Sequence, residues 1–312
     1  MSEFAVLFSP DNLPYAGRKC VMKVVIAGSQ GQLGSDCMEL LEDDYELVGV
    51  DIDEIDIRDY DDVERTMRGE FPDIILNCAA YTNVDAAESE REAAWQVNVE
   101  GPRNLARAAK KYGSLFIHVS TDYVFDGIKE VPETYTEDDV PNPTSYYGVT
   151  KLAGERAISE TADRYIIVRP AWMYGIHGGN FFKTMLSLAL RNPKKEIKVV
   201  NDQFGSPTWS YSLALQIRKL MEVRGQGIYH TTAEGYCTWY EAARYFLEQM
   251  GIEHAIRPCT TGEYPTPALR PKNSILKNAR LDEEDVNTMT YWKSDMDLYV
   301  ARFRRRLMDE LN

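Results

Sequence analysis

The chain predicts an α/β fold: a doubly wound parallel sheet with a smaller, partly intertwined α/β substrate lobe. Three observations predict it. Short apolar runs alternate with amphipathic helical patterns through the first half, a glycine-spaced turn joins the first run to the first helix, and the alternation loosens after Pro170. Strands and helices alternating at these lengths form βαβ units, and right-handed crossovers place helices on both faces of a parallel sheet.

The elements follow in order. Lys23–Ala27 is read as a buried strand, Gln32–Leu41 as a helix, Glu46–Val50 as the second strand, Tyr60–Arg68 as a helix and Asp73–Asn77 as the third strand. A long helix is expected from Val84 or Ala87 to Lys111, broken near Gly101-Pro102, where proline removes a backbone donor. Leu115–Val119 is the fourth strand. A polar, proline-containing stretch runs from Asp126 to Thr144, followed by a helix over Ser145–Ser159 and a strand at Tyr165–Arg169. Beyond Pro170, helices are expected at Phe181–Arg191, Tyr211–Val223, Thr238–Met250 and Ser294–Leu311, with strands at Ile197–Val200 and Gly227–His230. Three units result. Residues 1–21 carry Pro10, Pro14 and Gly17 without a period and read as a disordered extension; 22–171 hold a dinucleotide; 172–312 form mainly the substrate lobe, with segments returning to the main sheet.

Composition narrows the function classes. The 312 residues are 44% hydrophobic and 27% charged, ordinary for a globular protein. No run reaches the roughly 18 uncharged apolar residues of a membrane helix, and the first residues lack the pattern of a secretion signal, so a cytoplasmic protein with no membrane partner is expected. A net charge of −14 argues against a nucleic-acid partner, which needs a clustered positive surface. The five cysteines (Cys20, Cys37, Cys78, Cys237, Cys259) are widely spaced and suit free thiols, and the four histidines share no ligand spacing, so no metal site is predicted.

The turn after the first strand reads Gly28-Ser29-Gln30-Gly31-Gln32-Leu33-Gly34. Glycines there let the backbone approach a pyrophosphate, and the N–H groups and positive end of the next helix bind the anion. The spacing is G-x-x-G-x-x-G rather than the commoner G-x-G-x-x-G, and a plain tight turn is the alternative. Asp51 ends the second strand, where a carboxylate accepts the ribose hydroxyls of NAD and repels a 2′-phosphate. It tilts the choice between NADH and NADPH toward NADH, with NADPH open because Asp53 stands close by. Ala79 and Ala80, after Asn77-Cys78, leave room for the dinucleotide or serve as packing filler. The acids from Asp51 to Asp62 otherwise read as a solvated face.

Tyr147 and Lys151, four apart on a predicted helix, project from one face. A lysine charge about 4 Å from the phenol, at an effective dielectric near 20, favours phenolate by roughly 4 kcal/mol, which suits tyrosine for general acid catalysis at neutral pH. The spacing alone is weak, since Tyr15 and Lys19 share it. Context separates the two pairs: Tyr147 follows the fourth strand, whose end, Ser120-Thr121-Asp122, sets a hydroxyl at the carboxyl edge of the sheet. Thr121 is read as a donor to the substrate carbonyl, or as a turn cap.

Together the glycine loop, Asp51, Asn77 to Ala80, Ser120-Thr121 and Tyr147…Lys151 resemble the extended short-chain dehydrogenase/reductase family, with its Rossmann-type sheet. The segments YTNVDAAE (81–88), STDYVFDG (120–127), RPAWMYG (169–175), Asn180-Phe181, DQFGSPT (202–208), GIYH (227–230) and RPKNS (270–274) resemble the dTDP-4-dehydrorhamnose reductases, from Met22 nearly to the C-terminus. The resemblance implies NAD(P)H-dependent reduction of dTDP-4-dehydro-L-rhamnose to dTDP-L-rhamnose, a precursor of bacterial surface polysaccharide. It makes Thr121, Tyr147 and Lys151 catalytic. Gly28, Gln30, Gly31, Gln32, Leu33, Gly34, Asp51, Ala79, Ala80 and Thr82, with Tyr147 and Lys151, would hold the dinucleotide. Thr121, Asp122, Tyr123, Trp172 and Asn180 would meet the substrate, and Arg270 its pyrophosphate. Trp172 as core and Arg270 as a surface cation are the plain alternatives. A homodimer is left open, and some relatives bind magnesium at a dimer contact, but no ligands for it are identifiable here.

Two departures from the family pattern stand out: the N-terminal extension, and Pro170 where better-known members carry Thr or Ser after Arg169. Two rival functions remain. One is a reductase or epimerase of another nucleotide sugar, such as a deoxyhexose for spore or capsule synthesis. The other is a non-catalytic regulatory subunit of the methionine adenosyltransferase type. The complete Thr121, Tyr147 and Lys151 set favours an enzyme.

Overall fold

Six parallel strands form the centre of the computed structural model, which describes residues 21–311. They are β1 (Lys23–Ala27), β2 (Glu46–Val50), β3 (Ile74–Asn77), β4 (Leu115–Val119), β5 (Tyr165–Arg169) and β6 (Gly227–His230), in the order β6-β5-β4-β3-β1-β2. The extension expected at 1–21, with Cys20 and the decoy pair Tyr15 and Lys19, lies outside the described residues apart from Val21. Val24 to Ala27 are fully buried, as a parallel strand covered on both faces requires. Register is continuous across the middle: Ile26 pairs with Leu76 on one side and Gly49 on the other.

One face of the sheet is covered by α1 (Gln32–Leu41) and α6 (Ser210–Glu222), whose Leu33, Cys37, Leu213 and Ile217 pack on Val24 and Ile26. The other is covered by α2 (Tyr60–Glu70), α3 (Gly101–Tyr112) and α4 (Tyr146–Thr161), with Val63, Leu105 and Ile158 packing on Val25 and Phe116. The long helix expected before Lys111 is helical at Arg91–Trp95, opens into a π turn at Gln96–Glu100, and continues as α3. Gly101-Pro102 does not break it. Pro102 is the second residue of α3, directly after the π turn, which carries the helix through the proline.

A second core gathers Phe182 and Leu186 of α5 (Phe181–Arg191), Phe246 and Leu247 of α7 (Trp239–Gln249), and Trp292 and Tyr299 of α8 (Trp292–Leu311). Between these elements β6 returns to the main sheet as its edge, pairing with β5 from Gly227↔Ile166 to His230↔Arg169. Three smaller sheets, among them the parallel pair Ile197–Val200 with Ile256–Cys259, complete this half. No helix among the described residues is long and apolar enough to cross a membrane.

Strand order reverses between β1 and β3, so the helices that follow these strands pack on opposite faces of the sheet. At the carboxyl ends of such strands an open α/β sheet opens a crevice.

Candidate active site and dinucleotide crevice

The turn from β1 to α1 is a tight backbone device. Gly28 adopts φ +76°, its N–H donates to the Val50 carbonyl at 2.9 Å, and its carbonyl accepts from Gly31 N–H at 3.1 Å. A Cβ on Gly28 would stand 2.6 Å from the Ala79 nitrogen, and one on Gly34 would strike the Gly28 carbonyl. The β1 and β3 turns thus touch, and only glycine permits it. No side chain caps α1, whereas Asp59, Ser145, Asn180 and Thr238 cap other helices. Its first N–H groups therefore face the crevice free to bind an anion.

The crevice holds about 1000 Å³ and is lined by Gly28, Gln30, Gly31, Gln32, Leu33, Gly34, Asp51, Ala79, Ala80, Thr82, Trp172 and Asn180 among the expected residues. The Asp51 carboxylate accepts from Gln30 N–H at 3.0 Å and Ile52 N–H at 2.9 Å, which holds it at the crevice wall. Ile52, Ile55, Asp56, Ile57 and Arg58 line the same end, from a stretch read in sequence as a solvated face.

Tyr147, Lys151 and Thr121 do not line this crevice but lie behind its inner wall, whose Val119 carbonyl accepts from Lys151 Nζ at 2.7 Å. Ser145 caps α4 by accepting from Gly148 N–H at 3.2 Å, which fixes the first turn that carries Tyr147. The Thr121 hydroxyl donates to Asp122 Oδ1 at 2.9 Å and accepts from Tyr123 N–H at 3.2 Å, so it caps the 3₁₀ turn Asp122–Val124. It also stands beside the Tyr147 phenol. The cap and the site are the same residue.

The charge states differ from the sequence expectation. Burial pushes the Tyr147 phenol well above its ordinary value, the Asp122 carboxylate adds to this, and the Thr121 hydroxyl opposes it. Lys151 was expected to draw the phenol down, but its amine is turned to the Val119 carbonyl and to His118, whose Nε2 lies 3.2 Å away. Burial lowers Lys151 to about 8 against the pull of Glu155 and Cys78. Asp122 is pushed up to about 6 by burial, opposed by the Ser274 and Thr121 hydroxyls. At neutral pH Tyr147 therefore holds its proton, the state an acid needs for reduction.

Beneath this set lies a buried ion pair. Arg169 donates to both Glu155 oxygens, at 2.9 and 2.6 Å, and the Ser120 hydroxyl donates to Glu155 Oε1 at 2.5 Å. It ties β5, α4 and the end of β4 together next to Thr121.

The remaining expected residues divide. Trp172, with φ 46°, stacks face to face on Trp239 with ring centroids 3.6 Å apart, and both line the crevice. Asn180 caps α5 and donates to Gln32 Oε1 at 3.1 Å, linking that helix to the glycine turn. The Tyr123 ring meets Tyr147 edge-on at 5.5 Å. Arg270 is not a free surface cation: its Nη2 donates to Asp85 Oδ2 at 2.8 Å, and it lines a second cavity of about 730 Å³ with Lys129 and Lys272. One group among the described residues, Asp36, Glu39 and His177, brings ligand atoms within 4.8 Å. Its two acids already accept from Ser210 and Arg302.

Trp239 and His118 were missed in sequence. Trp239 meets Trp172 only through tertiary packing. His118 left one signal, a polar residue inside the apolar strand LFIHV, since a buried polar group demands partners.

The RmlD substrate binding domain model matches residues 22–305. The chain is 37% identical over 279 residues to the spore coat polysaccharide biosynthesis protein SpsK of Bacillus subtilis, covering 89% of this chain and 96% of that protein. It is 37% identical over 287 residues to the dTDP-4-dehydrorhamnose reductase of Escherichia coli, covering 87% and 95%. The crystal structure of dTDP-4-dehydrorhamnose reductase from Bacillus anthracis in complex with NADP superposes with a TM-score of 0.87 at 37% identity, covering 90% of this chain and 99% of that one. The chain belongs to the RmlD substrate-binding-domain family, the family of the dTDP-4-dehydrorhamnose reductases.

Proposed function

We propose that the chain reduces the 4-keto group of dTDP-4-dehydro-L-rhamnose to give dTDP-L-rhamnose, with NADH or NADPH as reductant. The observation that carries this reading is a protonated, buried Tyr147 beside the Thr121 hydroxyl, with Lys151 one turn on, behind the wall of a crevice whose other end is the uncapped α1. The cradle fits a dinucleotide. The Gly28–Ala79 approach leaves no room for a side chain, α1 offers free N–H groups to a pyrophosphate, and Asp51 offers a carboxylate to a ribose. The reduced nicotinamide, when bound, supplies the hydride that C4 of the sugar accepts.

The chain's own residues do the rest. Thr121, once its hydroxyl turns from Asp122 Oδ1, donates a hydrogen bond to the carbonyl oxygen and favours charge developing there. Tyr147 gives its proton to that oxygen, leaving a phenolate that Lys151 stabilises in its charged form once its amine turns from the Val119 carbonyl. Trp172 packs against the sugar, Asp122 and Tyr123 bound its other side, and Asn180 keeps the glycine turn in register with α5. Arg270 and Lys272 meet the substrate diphosphate in the second cavity once Asp85 releases the guanidinium. In this division residues 22–171 serve the dinucleotide and 172–312 mainly the sugar nucleotide. The unpaired thiols of Cys37, Cys78, Cys237 and Cys259 suit the reducing cytoplasm.

A panel of nucleotide-linked 4-keto sugars, with product analysis and both reduced dinucleotides, tests the reading. Oxidation that is fastest with dTDP-4-dehydro-L-rhamnose and yields dTDP-L-rhamnose supports it. Preference for another keto-sugar moves the assignment within the family, and turnover of none refutes reduction.

A further inference from the structure

A chain of buried hydrogen bonds runs from the cofactor-side wall to Lys151. Asn77 and His118 are fully buried and Lys151 is 1% exposed, so bulk water mediates none of it. We propose that Asn77 and His118 form a tautomer lock, which presents an imidazole N–H to the Lys151 amine and so favours its uncharged form. The lock rests on the reading of Lys151 as the partner of Tyr147 and concerns how that partner is tuned.

The Ala79 N–H donates to Asn77 Oδ1 at 3.0 Å. A backbone donor therefore fixes the amide, because turning it over would set NH₂ against N–H. Asn77 Nδ2 then faces His118 Nδ1 at 3.0 Å, and Nδ1 must accept. A neutral imidazole that accepts at Nδ1 carries its proton on Nε2. Burial, and then the Lys151 charge, hold His118 well below its ordinary value, so the ring is neutral. Its Nε2–H points at Lys151 Nζ, 3.2 Å away. An ammonium has three donors and no acceptor, so it would set donor against donor. The free amine can accept from Nε2–H while donating to the Val119 carbonyl at 2.7 Å.

The surrounding groups are few. Tyr147 lies one turn earlier on the same helix and Glu155 one turn later. Cys78 approaches from the end of β3, and His118 stands on β4. Glu155 and Cys78 favour the ammonium, but Arg169 on β5 holds the Glu155 carboxylate in its ion pair. Burial and the lock act the other way. His118 and Asn77 are positioning residues: neither donates to the sugar, and both set when Lys151 is charged.

The test reads charge and tautomer directly in the full-length protein without cofactor. The ¹⁵N resonances of His118 report which ring nitrogen carries the proton. The ¹³Cε resonance of Lys151, assigned by its loss in Lys151→Arg, reports the amine titration. The lock predicts a proton on Nε2 and a Lys151 midpoint near pH 8. Asn77→Asp keeps the acceptor for Ala79 N–H but replaces the amide donor with a second acceptor, so the His118 proton should move to Nδ1. Nε2 then accepts from the ammonium, the Lys151 midpoint rises by at least one pH unit, and the alkaline limb of kcat/KM moves with it. A proton on Nδ1 in the wild-type protein overturns the lock, as does a wild-type Lys151 midpoint at or above its ordinary 10.5. A tautomer unmoved by Asn77→Asp overturns it as well. These resonances do not depend on turnover, so a failed lock leaves the reductase reading standing, and a failed reduction leaves the lock standing.

Discussion

Glu155→Gln tests whether the catalytic edge of the sheet depends on a buried ion pair. The Glu155 carboxylate receives Arg169 Nε, Arg169 Nη2 and the Ser120 hydroxyl, and both charged side chains are at most 3% exposed. A glutamine keeps the shape, but it leaves the guanidinium charge buried without its counter-ion. Breaking one side of such a pair destabilises by about 3–5 kcal/mol. At roughly 2–4 °C per kcal/mol for a domain somewhat smaller than this one, the melting temperature should fall by on the order of 10 °C. Replacing both members, Glu155→Leu with Arg169→Met, should recover most of the loss, since apolar isosteres of a buried pair are often neutral. Denaturant unfolding of the two singles and the double gives the coupling energy. A Glu155→Gln protein within about 1 kcal/mol of wild type would refute the idea that this pair holds Ser120 and Thr121 in place.

Other expectations follow from the same geometry. Gly28→Ala must place a Cβ at φ +76° and 2.6 Å from the Ala79 nitrogen. The left-handed backbone alone costs roughly 1–2 kcal/mol, so dinucleotide affinity by calorimetry should weaken about tenfold or more, and unchanged affinity would contradict the crevice assignment. Asp122 has a folded-state value near 6, above its ordinary 3.8, so the folded protein binds an extra proton between these values. The stability that proton contributes is fully present below about pH 4 and is lost as pH rises through 6. Asp122→Asn should therefore stabilise the protein at pH 7 by about 2–3 kcal/mol relative to wild type, with little gain at pH 4. An equal effect at both pH values would show that the carboxyl is not buried as described.

The main sheet was legible in sequence because parallel strands buried on both faces leave continuous apolar runs. Val24 to Ala27 and Ile74 to Leu76 are such runs. The glycine turn was legible because its chemistry is local: residues 28 and 34 need glycine for contacts within a few residues and with one neighbouring turn. Other features depended on distant partners. The stretch Ile52–Arg58 carries acids that look solvated until the fold turns its isoleucines into the crevice. Pro102 looked like a break because sequence does not reveal that a π turn just before it carries the helix through. The spacing of Tyr147 and Lys151 was readable, but the direction of the lysine amine was not, since that is set by Val119 and His118 on β4.

The central claim is that Tyr147 is the acid of a nucleotide-sugar reduction. The most direct measurement is single-turnover oxidation of NADPH by the full-length chain with dTDP-4-dehydro-L-rhamnose, comparing wild type with Tyr147→Phe. General acid catalysis contributes about 10²–10⁴-fold. With Tyr147 as the acid, the variant's rate is lower by at least 10²-fold, with NADPH still bound. Equal rates in the two proteins would contradict it.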